Sequence, residues 1–133
     1  MLSLNTNADE IVICVADSAS SLVLRTLVLH ELAHAWTERN LTDAARARFV
    51  TLRGAHSWNA AKDAWSERAT EHAAVVIAWG LLDVVVQARP IGDTSSAAMR
   101  DAFRFLTGTD PINDGSAPSS QPTHAGAAAA RLS

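Results

Sequence analysis

Apolar and polar positions divide the chain into one short β-like run and four stretches with helical spacing. Residues 11–16, Ile-Val-Ile-Cys-Val-Ala, are largely β-branched and stop at Asp17-Ser18, which predicts a strand. Ser18, Ser20 and Ser21 offer N-caps for a helix that continues through Leu22, Val23, Leu24, Leu27, Val28 and Leu29 and ends near Arg39 and Asn40. Its apolar residues fall on almost every side, so it is expected to be buried. Thr42 caps a second helix over Asp43–Arg53, with Gly54 as its stop. Residues 55–63 read as irregular, and a third helix is expected from about 64 to 86, ended by Pro90 and Gly92. A short amphipathic helix over 96–106 carries Met99, Phe103 and Leu106 on one stripe. The expected fold is α+β and mostly helical: a minimal core of one short strand or small sheet against a buried helix, plus three further helices.

Composition draws the boundary of that core. Residues 109–133 are rich in Gly, Pro, Ser and Ala and nearly free of large apolar side chains, so they are expected to form a disordered tail behind a single domain of residues 1–108. Across all 133 residues, 48% are hydrophobic and 19% charged, which suits a globular core. A net charge of −3 with no basic cluster argues against nucleic acid as a partner. The longest apolar run, 73–82, is shorter than the roughly 20 residues a membrane span needs, so no membrane partner is expected. Cys14 is the single cysteine and the first residues lack the layout of a signal peptide, which together predict a cytoplasmic protein.

Candidate chemistry lies on the first and third helices. The run His30-Glu31-Leu32-Ala33-His34 places two imidazoles one helical turn apart on one face, where both can meet a single zinc ion. Glu31, beside the first of them, is the candidate general base. The alternative reading makes His30 and His34 core histidines and Glu31 an ion-paired acid. A catalytic zinc takes three protein ligands and keeps one open position, so a third ligand must come from elsewhere. Glu67 and Glu71, spaced i, i+4 near the start of the third helix, share a face there and are both candidates. One binds while the other steadies the ligands.

The chain resembles the gluzincin metallopeptidases, which carry His-Glu-x-x-His on one helix and a glutamate ligand on a later one, and in particular their minimal forms and the ImmA/IrrE family. Those relatives show Glu-x-x-Ala-x-x-(large apolar)-Ala-x-x-Leu-Leu on the second helix, matched here by Glu71, Ala74, Ile77, Ala78, Leu81 and Leu82. The resemblance thus implies zinc held by His30, His34 and Glu71. The thermolysin-like register would instead put Glu67 on the metal, with Glu71 orienting a histidine. The run His30-Glu31-Leu32-Ala33-His34-Ala35-Trp36, followed by Glu71-His72-Ala73-Ala74 and Ile77-Ala78-Trp79-Gly80-Leu81, also resembles a group of small actinobacterial proteins.

The activity implied is zinc-dependent hydrolysis of peptide bonds, with Glu31 activating the zinc-bound water, on a peptide or protein substrate such as one cognate regulator. The alternative function is a catalytically inactive or regulatory zincin-like helical interaction module. Two departures stand out: only one strand precedes the metal helix, and the chain has no tyrosine to stabilise an oxyanion. His56, His72 or Arg68 would have to take that part. His72 points about 100° away from Glu71 and is expected at the surface, and His56 is expected to be solvated in its loop. His124 lies in the tail and is assigned no catalytic part. Trp36 and Trp79 are read as packing anchors, and Cys14 as a small buried hydrophobe.

Overall fold

The computed structural model describes residues 11–115, and they form a mostly helical fold. Helix α1 spans Ser21–Asn40, α2 Asp43–Arg53, α3 Ala69–Leu81 and α4 Ser96–Thr107, with a 3-10 turn over Trp65–Glu67. The starts of α1 and α2 follow their serine and threonine signals, Ser20 and Thr42 each accepting a backbone N–H from the first turn, and Ser95 does the same for α4. Gly54 and Gly108 close α2 and α4 in the left-handed conformation, where a side chain would be strained.

The centre of the molecule is α3. Every residue from Ala69 to Gly80 except Glu71 is buried, so this helix, and not the one bearing the histidines, is apolar on all sides because it is enclosed. It packs most extensively on α1 and next on α4. The α4 stripe closes the other side, with Met99, Phe103 and Leu106 all buried as their spacing predicts. Gly80 is where the two helices touch: a Cβ built there collides with the Phe103 ring. Gly80→Ala is therefore expected to destabilise the fold by about 1–2 kcal/mol net, because overpacking outweighs the gain in helix propensity. A denaturant midpoint equal to wild type would refute that packing.

Several expectations change. Only Val12 within 11–16 has bridge geometry, so no extended strand forms among the described residues. Cys14 is exposed. The histidine helix α1 is not buried: Leu22, Val23, Leu24, Leu32 and Trp36 are all exposed, and only Glu31, Ala33 and Thr37 are buried. One helix face meets α3, and no described element covers the rest.

The third helix is much shorter than residues 64–86. Arg68 is extended, and the N–H groups of Ala69 and Thr70 donate to the carbonyls of Ser57 and Trp58, so the 55–58 segment caps the helix start by tertiary contact. At the other end the Gly80 carbonyl accepts from Ile112 and Asn113, and the Asn113 side chain donates to the Val84 carbonyl. A continuing helix would have offered that Gly80 carbonyl to residue 84. The same contacts correct the tail boundary, since 110–115 dock here: Asn113 is buried, Arg104 pairs with Asp110, and Arg100 donates to the Asp114 carbonyl. Residues 116–133, with His124, and residues 1–10 lie outside the described residues. No helix among the described residues is long and apolar enough to cross a membrane.

Candidate metal centre

His30 and His34 stand one turn apart on the face of α1 that meets α3, and Glu71 projects toward them from the first turn of α3. The His30 Nε2 lies 3.2 Å from Glu71 Oε2, the His34 Nε2 3.4 Å from the same oxygen, and the two Nε2 atoms 3.2 Å from each other. The imidazoles meet edge to face, with ring centroids 4.9 Å apart and an interplanar angle of 80°. The three side chains keep 15–16% of their surface accessible, so solvent reaches the site while the surrounding core limits it.

Two neighbours fix this arrangement. His34 Nδ1 lies 3.1 Å from the Thr70 hydroxyl; when the ring donates there, the Nε2 lone pair faces the other two donors. The Trp65 indole N–H donates to Glu71 Oε2 at 2.8 Å, and Arg89 stacks on the Trp65 ring 4.0 Å above its centroid. The Thr70 N–H donates to the Trp58 carbonyl and Trp65 lies on the 3-10 turn before α3, so the segment that starts α3 also orients His34 and Glu71. Burial works against ionisation of Glu71, but hydrogen bonds and attraction from His30 and His34 outweigh it and hold the carboxyl well below the usual range. At neutral pH it is an anion.

The donor set fits zinc. Tetrahedral coordination with bonds of about 2.0–2.1 Å places neighbouring ligand atoms about 3.3–3.4 Å apart, and the three separations here, 3.2, 3.2 and 3.4 Å, lie close to that. A triangle with those edges has a circumscribed radius of about 1.9 Å, so a point at zinc distance from all three atoms exists. Two imidazoles and one carboxylate are also the ligand types that zinc accepts in hydrolytic sites.

No family model, curated protein or solved structure matches this chain. The site's reading therefore rests on its own residues and geometry.

Glu31 lies outside the three-residue cluster and is buried at 6% exposure. Glu67 is not with the histidines. It sits on the 3-10 turn before α3, where its Oε2 accepts the Ala64 N–H and its Oε1 lies 3.4 Å from His56 Nδ1. The i, i+4 reading of Glu67 and Glu71 fails because Arg68 breaks the helix between them. His56 is solvated as expected. Arg68 donates to the carbonyls of Asp63 and Ala61, which ties it to the loop.

His72 is buried, against the surface expectation. Its Nε2 donates to the Ser66 carbonyl, Nδ1 has no partner, and burial, aided by nearby Arg53, pushes its pKa down. Trp79 is a core residue, whereas Trp36 is partly exposed. A surface depression lined by Asp43, Arg46, Ala47, Val50 and Trp58 shares no residue with the cluster. Sequence reading missed Trp65 and Thr70 as supports for the centre. The signal available was their place beside the glutamates, one on each side of Glu67, yet nothing in the sequence indicates where their polar atoms point.

Proposed function

We propose that this chain is a gluzincin-type zinc metallopeptidase whose metal is held by His30, His34 and Glu71. The observation that carries the reading is the convergence of three zinc-type donors from two separate helices at separations close to those of a tetrahedral site. When bound, zinc supplies Lewis-acid polarisation of a carbonyl and lowers the pKa of water. Glu31 takes the proton from the attacking water and passes it to the leaving amine as the C–N bond breaks. Thr70 and Trp65 hold His34 and Glu71 in orientation, so the donors need little rearrangement on loading. The substrate in this reading is a peptide or protein, including a single cognate regulator, and the site of action is the cytoplasm.

A second reading draws on the exposed apolar side chains of α1 and on the absence of a strand ladder over 11–16. In it the chain is a zinc-dependent interaction module that does not turn over. A mass-spectrometric screen of a peptide library with zinc-loaded protein separates the two. Cleavage that is lost on chelation and restored by zinc is the expected result. One equivalent of tight zinc with no cleavage of the library or of any captured protein would favour the module, and zinc well below one equivalent would overturn both.

A further inference from the structure

A second cluster of metal-ligating side chains lies in the loop before α3. His56, Asp63 and Glu67 each bring a ligand atom within 4.8 Å of the other two, and His56 Nδ1 lies 3.4 Å from Glu67 Oε1, the same separation as between His34 and Glu71. Two hydrogen bonds within the loop hold the carboxylates in place. The Ser57 hydroxyl donates to one oxygen of Asp63, and the Ala64 N–H donates to one oxygen of Glu67, so each carboxylate spends one oxygen on the loop and keeps the other. His56 and Ser57 are joined to Glu67 through backbone hydrogen bonds, which hold the two sides of the loop together.

Charge points the same way. Arg68, the nearest arginine in sequence, spends its donors on the carbonyls of Asp63 and Ala61, and no lysine or arginine pairs with either carboxylate among the described residues. Two carboxylates and one imidazole thus meet with no lysine or arginine in an ion pair with them among the described residues, with His56 exposed and both carboxylates half-buried.

We propose that His56, Asp63 and Glu67 form a second cation site, taking a divalent first-row transition ion of the zinc class, which fastens the 55–69 loop against the start of α3. The imidazole selects against calcium and magnesium, which prefer oxygen ligands. Its exposure makes it the weaker of two sites: the His56 side chain is 64% accessible, against 15% for His30. The loop it fastens carries Trp65 and leads into Thr70, so occupancy there stiffens the supports of Glu71 and His34. This inference does not depend on hydrolytic activity, nor on the first site being a peptidase centre.

Zinc titration of the metal-stripped full chain by calorimetry tests it, alongside His56→Ala and His34→Ala proteins checked by circular dichroism. Wild type is expected to take two equivalents, one tighter than the other. His56→Ala should lose the weaker equivalent and keep the tight one, and His34→Ala should lose the tight one and keep the weaker. Asp63→Asn provides an independent removal of a ligand and should match His56→Ala. Saturation of wild type at one equivalent that His34→Ala removes, or a second equivalent that persists in both His56→Ala and Asp63→Asn, overturns the proposal. If His34→Ala changes nothing, the first site fails, and the second is still decided by the other two proteins.

Discussion

Glu31→Gln is expected to lower kcat by about 10²–10⁴-fold, the usual contribution of a positioned general base, while one tight equivalent of zinc stays bound. The amide has nearly the shape of the carboxylate but cannot accept a proton from water. Glu31 is 6% exposed on the helix that carries His30 and His34, the proposed ligands, so a substitution that changed the packing there would show up as lost zinc. The measurement is therefore paired: turnover of whichever peptide the wild type cleaves, and zinc content by mass spectrometry. Hydrolysis that survives the substitution removes Glu31 from the mechanism. Loss of zinc together with turnover would assign it to holding the centre.

The second large effect separates the two glutamates. Glu71→Ala is expected to weaken the tight zinc site by more than about 100-fold, because losing a ligand exceeds the 10–100-fold that follows loss of an outer hydrogen-bond partner. Glu67→Ala should keep the tight site, with a loss of affinity well under 10-fold, since Glu67 faces His56 and the Ala64 N–H and not the histidine pair. Competition with a chromophoric chelator reads both. The opposite pattern, with the tight site lost in Glu67→Ala and kept in Glu71→Ala, would restore the thermolysin-like register and require the start of α3 to be redrawn.

Local signals were highly legible. The caps of α1 and α2 and the glycine stop of α2 sit where serine, threonine and glycine place them, because capping is a contact between residues a few positions apart. The α4 stripe was legible for a similar reason, since 3.6-residue periodicity states which face is apolar. The histidine pair belongs to the same class: residues four apart on a helix share a face whatever the rest of the chain does.

Burial of α1 was not legible, because an apolar surface says only that a cover is favourable. Here one side meets α3, and Leu22, Val23, Leu24, Leu32 and Trp36 stay accessible. The ends of α3 were hidden for another reason. Ser57 and Trp58 supply carbonyls to its first turn, and Ile112 and Asn113 occupy the Gly80 carbonyl at its last, partners at least 12 positions away in the chain. The docked segment 110–115 escaped composition because its hold is hydrogen bonding through Asn113, Asp110 and backbone, and not apolar area.

By itself the sequence determined the two imidazoles on one helix face, Glu31 beside them and two acidic candidates for a third donor. It did so because helical geometry acts over four residues. Choosing between Glu67 and Glu71 required the tertiary structure, since the choice turns on one extended residue, Arg68, held out of the helix by pairing with a distant loop. That break sends Glu67 toward His56 and leaves Glu71 facing His30 and His34, and Trp65 and Thr70 acquire their supporting roles only once the loop is in place.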